Sequence, residues 1–204
     1  LGNSKTAAET IKFYRELGKK IFSVSAGTYA GQNLSIMNNR YNSGFYLALN
    51  DVDGLLLWTF SRPANNPFND FDSRNKDYAL VYPPRTPGGE PVKSIAWEGI
   101  REGITDYRYL KSLRQAIARA EQDGRKACAD QARAILGCLL QSVPEYGKFD
   151  ERSFNDATAD RLRRLAALGI MAADGKEIFD TQTKEAAAKI ELRPIPTAKT
   201  TSDE

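Results

Sequence analysis

The feature that most constrains the fold is the order of segments between residues 53 and 113. An apolar run at 54–60 predicts a buried strand, and a polar loop broken by prolines follows it. A short strand at 79–83 and a Gly-Gly turn at 88–89 then lead to Ser94, which can cap a long helix. A strand, a long loop and a returning helix form the repeating unit of α/β proteins. We therefore expect the loop to shape a site.

The first sixty residues predict the same alternation. A capping box at 6–9 begins a helix that ends near Gly18, and the run 21–25 has the β-branched and aromatic residues of a strand. Ser35 can cap a second helix that continues to about Leu49. The order helix, strand, helix, strand implies parallel strands that are joined by helical crossovers.

Three helices are predicted after the last strand. The first ends at Asp123-Gly124, the second covers 125–143, and the third begins at Asn155 or Asp156. The apolar stripe of the first helix repeats every three or four residues. Its members are Ile100, Ile104, Tyr107, Leu110, Leu113 and Ile117. We expect these helices to form a small bundle beside the sheet.

The composition excludes several classes of function. The 204 residues include no histidine, so this chain alone cannot form a Ser-His-Asp triad or a histidine-containing zinc site. A net charge of +3, with basic residues interspersed among acids, lacks the concentrated basic face of a nucleic-acid-binding protein. No apolar run reaches the roughly 20 residues that cross a bilayer. No cofactor is predicted, because Gly88-Gly89 lacks the Lys-Ser/Thr of a phosphate-binding loop. No metal site is predicted, because the loop that begins at Asp70 and Asp72 has Arg74 and Asn75 where a calcium loop needs an oxygen ligand and a glycine.

The two cysteines are expected to be free thiols. Cys128 and Cys138 fall on one predicted helix, and ten residues of helix separate them by about 15 Å. That distance is too long for a disulfide. We expect both thiols to be buried on the apolar face of the helix.

Four short elements between residues 58 and 110 make up a specific pattern. They are the strand that ends in Trp58, the strand end Tyr82-Pro83, the turn Gly88-Gly89, and the helix Ser94…Glu98…Arg101-x-Gly103-Ile104-x-Asp106-Tyr107-x-Tyr109-Leu110. This pattern resembles the closing segment of the barrel of glycoside hydrolase family 123. The resemblance covers about Arg40–Leu113.

The resemblance implies a fold and an activity. The fold would be α/β, the last two or three βα units of a (β/α)8 barrel followed by a helical extension. The substrate would be an N-acetylhexosamine-type glycan, an N-acetylgalactosaminide. Such enzymes are thought to use an adjacent Asp-Glu pair and the substrate's own acetamido group. Because no strand end here carries Asp-Glu, we expect the catalytic pair to lie outside this chain and the chain alone to be inactive.

The implied organisation divides the chain into three parts. Residues 1–123 would be the barrel segment, 124–193 the helical extension, and 194–204 a disordered tail. Two or three strands cannot close a barrel, so we expect the remainder of a parent barrel or self-association to cover the strands. The resemblance is compatible with a secreted or periplasmic parent, but the compartment stays open.

Four residues are predicted to contact the glycan. Trp58, at the end of its strand, would form a floor for a sugar ring, and the alternative is a core tryptophan. Arg40 would donate to sugar hydroxyls or hold a carboxylate, unless it is a helix-surface arginine. Tyr29 would stack on the ligand or be an ordinary loop tyrosine. Asp70 is paired in sequence with Asp72, and both are alternatively solvated loop carboxylates.

One charged group on the long helix is predicted to be structural. Glu102 and Asp106 are four residues apart and would repel each other unless a cation lies between them. Arg101 or Arg108 is the expected cation.

A second hypothesis for the whole chain belongs to a different class, a non-catalytic carbohydrate-binding or helical interaction module.

Overall fold

The computed structural model describes residues 5–24, 35–57, 59–63, 65–69, 71–72, 78–145 and 148–176. The fold is mixed α/β and rich in helix. Its helices and strands follow in chain order: α1 Lys5–Glu16, β1 Phe22–Val24, α2 Ile36–Arg40, a π-helical segment Tyr41–Phe45, α3 Tyr46–Leu49, β2 Gly54–Leu56, β3 Ser61–Arg62, β4 Tyr78–Ala79, β5 Val81–Tyr82, β6 Val92–Lys93, α4 Ile95–Gln122, α5 Lys126–Gln141 and α6 Asp156–Ala173.

The predicted parallel pairing is confirmed. β1 and β2 run parallel, with Phe22 opposite Gly54 and Val24 opposite Leu56, and the chain crosses between them through helix. Asp53 fixes the start of β2, because its carboxylate accepts the Ile21 N–H at 2.7 Å and pairs with an arginine of α1 at 2.9 Å. This parallel pair is the βαβ unit that positions the rest of the molecule.

The crossover is one nearly continuous helix, residues 36–49, which we call the central helix. Ser35 caps it, as predicted, by accepting the Asn38 N–H at 3.1 Å. Its middle turn, Tyr41–Phe45, is π-helical, and residues 39–48 are buried on every side. A helix that is buried all round is a core element. The polar side chains on this helix must therefore find partners inside the protein.

Glycines allow α4 to approach the central helix closely. A Cβ at Gly103 would lie 2.5 Å from the Arg40 carbonyl oxygen, and a Cβ at Gly44 would lie 2.5 Å from the Gly103 oxygen. Gly99, one turn earlier on α4, has the same relation to the Ile36 carbonyl oxygen. Any side chain at these positions would separate the two backbones, so glycine is required on both helices.

The predicted bundle of α4, α5 and α6 is present, and it packs against the central helix. Tyr41 joins the two, since its ring stacks on Phe149 at 4.7 Å and its hydroxyl donates to the Pro144 carbonyl at 2.7 Å. Phe45 packs edge-on against Phe154 at 5.3 Å. The connection between α5 and α6 thus contributes aromatic rings to the main core. The predicted division of the chain at residue 123 stays a prediction.

The observed elements differ from prediction in three places. The predicted strand 54–60 pairs only over Gly54–Leu56, and the predicted strand 79–83 is split at Leu80 into β4 and β5. In the predicted stripe of α4, Ile104 is exposed, and the buried position of that turn is Gly103. The stripe is rotated because the glycine face of α4 contacts the central helix. The predicted tail, residues 194–204, lies outside the described residues.

Candidate functional site

A long excursion connects the carboxyl end of β2 to the start of α4. It covers residues 57–94 and contains two small antiparallel sheets, β3 with β4 and β5 with β6. Leu80 lies between the sheets, accepting from Ser94 N at 3.1 Å and donating to the Phe60 oxygen at 3.0 Å. In α/β folds, ligands bind outside the carboxyl ends of the parallel strands. The excursion is therefore at the edge where a substrate site belongs.

Aromatic rings are paired along the excursion. Phe68 stacks on Tyr82 with ring centroids 5.4 Å apart, and the Arg85 guanidinium lies 5.9 Å from the Phe68 centroid. Phe60 packs edge-on against Trp97 at 6.2 Å. Such contacts hold the rings in fixed positions on a segment with little regular structure.

Asp72 organises the tip of the excursion. Its carboxylate accepts the Asn66 N–H at 2.8 Å, and its carbonyl accepts from the Asn65 side chain at 3.0 Å. The interpretation of Asp72 as a merely solvated carboxylate is therefore too simple. Asp72 closes a hydrogen-bonded loop at residues 65–72, which we call the aromatic loop because it presents Phe68 and Phe71.

Arg40 lies at the end of α2 and is almost fully buried, with 2% of its surface exposed. Its Nε donates to Asp106 Oδ2 at 2.7 Å, and its terminal nitrogens donate to Asp156 and Asp160 at 2.7 Å each. Asp106 belongs to α4, whereas Asp156 and Asp160 belong to α6. One guanidinium therefore links three helices.

Arg163 of α6 completes this group. Its Nε donates to Asp106 Oδ1 at 2.6 Å, and one terminal nitrogen donates to Glu102 at 2.6 Å. Arg101, one of the two residues predicted to be the cation shared by Glu102 and Asp106, pairs with Glu102 at 2.5 Å. The cation shared by Glu102 and Asp106 is nevertheless Arg163. We refer to Arg40, Glu102, Asp106, Asp156, Asp160 and Arg163 as the ion cluster.

Burial and pairing act in opposite directions on these charges. Burial raises the pKa of Asp106, and the hydrogen bonds from Arg40 and Arg163 oppose that rise. Burial also disfavours the Arg40 charge, but its bonds to Asp106 and Asp160 outweigh burial, so the pKa of Arg40 is raised. Both Asp106 oxygens accept N–H groups from guanidinium groups. Asp106 is therefore ionised in this arrangement. The ion cluster is thus a set of mutually dependent charges.

The hydrogen bond from Arg163 is the largest influence on Glu102, and it lowers the pKa of that carboxyl. Glu102 and Asp106 are therefore engaged by arginines and are poor candidates for proton transfer to a substrate. The predicted structural role of this group agrees with its geometry. Within the described ranges, no group of three or more acidic, cysteine or histidine side chains could hold a metal ion.

Of the four residues predicted to contact the substrate, Arg40 lies within the described part of the chain. Arg40 holds a carboxylate, which was one of its predicted roles, and the interpretation as a helix-surface arginine is wrong because it is buried. Trp58, Tyr29 and Asp70 lie outside the described residues. Their contacts with a glycan, and any contact of Arg40 with one, stay predictions.

The contribution of α6 to this region was not predicted from the sequence. Asp156, Asp160 and Arg163 are spaced at four and three residues, so they share one face of α6. That charged face was a signal in the sequence, but its partner on the central helix lies 116 and 120 residues away. No local pattern could connect the two.

A comparison with protein families matches one segment of the chain. The family model described as "Glycoside hydrolase 123, catalytic domain" matches residues 13–113. The match runs from α1 to α4 and includes the parallel pair, the central helix and the excursion. No curated protein matches the chain. Among the described residues, no helix is long and apolar enough to cross a membrane. The predicted resemblance is thereby confirmed: residues 13–113 of the chain match the catalytic domain of glycoside hydrolase family 123.

Proposed function

We propose that the chain forms the last βα units of a (β/α)8 barrel, and that this barrel hydrolyses N-acetylhexosamine-type glycans such as N-acetylgalactosaminides. Residues 1–123 form the barrel segment in this proposal, and 124–193 form a helical extension. The chain supplies substrate contacts on the rim of the site. The catalytic Asp-Glu pair comes from outside this chain.

The observation that carries the proposal is the two-sided character of the parallel pair. Ser23 of β1 is buried and Leu55 of β2 packs on the main core. On the opposite face, Phe22, Val24 and Leu56 are exposed, and Val24 reaches 66%. Strands of a parallel sheet are normally covered on both faces. An apolar open face next to a helix-covered face is what a barrel interior would present if its other strands were absent.

The excursion supports the second part of the proposal. It follows the carboxyl end of β2, where barrel enzymes carry their substrate contacts. Trp58 and Asp70 both belong to the excursion by their sequence positions. We propose that these two residues and Tyr29 contact the glycan. Arg40 would act mainly by fixing the helices below the site, because its donors are directed at carboxylates.

The activity test compares this chain with the product of the complete gene. We expect the purified 204-residue chain to release no nitrophenol from a nitrophenyl N-acetylgalactosaminide, since it lacks the positioned carboxyl groups that glycoside hydrolysis needs. The complete gene product should release it. Turnover by the isolated chain would show that its own carboxylates are catalytic. A complete product that binds the glycan without cleaving it would favour the carbohydrate-binding module.

Trp58 provides the sharpest test of the predicted site. In the active protein, Trp58→Ala should weaken transition-state binding by roughly 1–3 kcal/mol, the scale of one lost aromatic platform. The loss of folding stability should stay below the roughly 3–5 kcal/mol of a core tryptophan deletion. The matched control is Trp97→Ala, because Trp97 packs against the core cluster of Leu80 and Ile100. If Trp58→Ala unfolds early while its kcat/KM is unchanged, Trp58 is a core residue.

A second measurement tests the open face of the sheet. Sedimentation of the isolated chain should show self-association that weakens when Val24→Lys is introduced, because a charge on the open face disfavours its burial. The upstream part of the barrel should suppress this association when both parts are expressed together. A strictly monomeric chain that is indifferent to the upstream part would contradict the barrel proposal.

A further inference from the structure

The aromatic loop is internally fixed by its own polar groups. Asn66 N–H and the Asn65 side chain both donate to Asp72, at 2.8 and 3.0 Å. The Phe71 N–H donates to the Asn69 side chain at 3.2 Å. Hydrogen bonds of this type define a turn conformation without any apolar packing. The position of Phe71 therefore follows from the loop itself.

Phe71 nevertheless contributes almost nothing to the core, since 91% of its surface is exposed. It is one of three exposed phenylalanines on the excursion, together with Phe60 and Phe68. Single exposed apolar residues are ordinary, but several exposed rings on one excursion indicate a contact surface. Phe68 is held in place by its contacts with Tyr82 and Arg85.

The chemistry around the rings favours a sugar over a protein partner. Asn69 and Asp72 directly follow Phe68 and Phe71 in the sequence, and Arg85 contacts the Phe68 ring, so hydrogen-bonding groups accompany both rings. A pyranose ring has the complementary surface, with C–H groups on one face and hydroxyls at its edge. A site with aromatic walls and a few polar groups is typical of small-ligand recognition. A protein docking surface would present a broader apolar area.

We propose that Phe68 and Phe71 form a subsite for sugar rings of the glycan, built on the aromatic loop. Phe71 stacks on one pyranose ring, while Phe68, supported by Tyr82, stacks on a neighbouring ring. Arg85 donates to the hydroxyl or acetamido oxygens of these sugars. The inference rests on the proposed function, because it takes its ligand class from the glycan of that same site. It assigns recognition of an extended chain of sugars to Phe68, Phe71 and Arg85.

The experiment measures binding by the isolated 204-residue chain, which contains the whole aromatic loop. The probe is a tetrasaccharide of β-linked N-acetylhexosamine, titrated by calorimetry, with the monosaccharide N-acetylgalactosamine as a second probe. Phe71→Ala should weaken tetrasaccharide binding about tenfold or more, the effect of one lost stacking contact. Phe71→Trp should retain the affinity. The monosaccharide should bind more weakly than the tetrasaccharide in the unchanged chain.

The matched control is Phe13→Ala, because Phe13 is another exposed phenylalanine, at 56%, but lies on α1. The tetrasaccharide affinity of the Phe13→Ala variant should stay within about twofold of that of the unchanged chain. Phe71→Ala should also leave the melting temperature unchanged, since the ring is in water. Equal binding by both variants, or no tetrasaccharide binding by the chain, would overturn the subsite. The subsite would also be overturned if Phe71→Ala unfolded the chain, or if it reduced self-association while no glycan binding was detected.

The two proposals fail in different ways. If the complete gene product is inactive but Phe71→Ala still weakens tetrasaccharide binding, the subsite stands and the hydrolase proposal fails. If the product is active and its kcat/KM for the tetrasaccharide is insensitive to Phe71→Ala, only the subsite fails. Activity on the nitrophenyl monosaccharide should be unaffected by this substitution, because that substrate is too short to reach the aromatic loop.

Discussion

Replacing Arg40 with methionine tests whether the ion cluster holds the central helix to the bundle. Methionine retains most of the buried stem of arginine but removes every donor. Asp156 and Asp160 have exposed side chains, at 69% and 53%, so both can return to water at little cost. Asp106 cannot, because its side chain is fully buried. The penalty is therefore concentrated on one carboxylate.

The size of the destabilisation depends on the hydrogen bonds that Asp106 retains in the variant. Breaking a buried ion pair by removing one partner costs roughly 3–5 kcal/mol. Arg163 still donates to Asp106 at 2.6 Å in the variant, so we expect the lower end, about 3 kcal/mol. In a chain of this size, that loss lowers the melting temperature by roughly 6–12 °C. Urea unfolding followed by circular dichroism, together with a thermal scan, measures both quantities.

The matched control is Arg133→Met on α5. Arg133 pairs with Asp130 and Glu121, but its side chain is half exposed, so the loss should stay below about 1 kcal/mol. Adding Asp106→Leu to Arg40→Met should cost less than Asp106→Leu does in the unchanged chain, because the orphaned carboxylate is removed with it. Equal effects of Arg40→Met and Arg133→Met would refute the assignment of the ion cluster as a structural link.

Three further predictions concern packing, pH and thiols. Gly103→Ala should destabilise the fold by at least about 2 kcal/mol, because its Cβ meets the backbone of the central helix. Gly137 has open space around it, so Gly137→Ala should be neutral or stabilising by up to about 1 kcal/mol. Similar melting temperatures of the two variants would contradict the close approach. Because the pKa of Glu102 is lowered in the folded chain, Glu102 is protonated in the unfolded chain first as pH falls. Its contribution to folding stability is therefore present above the unfolded pKa and is lost as pH falls through the folded pKa. Glu102→Gln should therefore flatten the acid limb of the stability curve, and an unchanged limb would argue against the bond from Arg163. Cys128 and Cys138 are half-buried and free, so they should react slowly with a thiol reagent until denaturant is added, without any mass change on reduction; rapid labelling of both would contradict this.

The local parts of the fold were predictable because they depend on short-range rules. Ser94 and Asn155 cap their helices as their sequence positions indicate, each accepting a backbone N–H three residues ahead. Gly124 and Gly175 follow helix ends in the left-handed region, where glycine is favoured. The parallel pairing of β1 and β2 was also predictable, since two strands with a helix between them have few other arrangements.

The long-range parts were not predictable from one sequence. The period of the apolar residues placed Ile104 in the core, but the glycine face of α4 decides its orientation, and hydrophobic periodicity does not register glycine. Arg101 was a reasonable partner for Glu102 because the two are adjacent, yet Arg163 contributes the shared cation from 57 residues beyond Asp106. Charge pairing between distant helices depends on tertiary packing, which no local pattern encodes.

The linkage of Arg40 to α6 also has a consequence for biosynthesis. The partners of this arginine lie 66, 116 and 120 residues further along the chain. A ribosome that adds about 5–20 residues per second needs several seconds to pass from the central helix to α6. During that interval the arginine and its neighbouring apolar rings must stay hydrated or be held by a chaperone, because their final environment has not yet been synthesised. Synthesis that stops before α6 would leave the family-matched segment with a cationic and aromatic surface, so quality control should recognise truncated products readily.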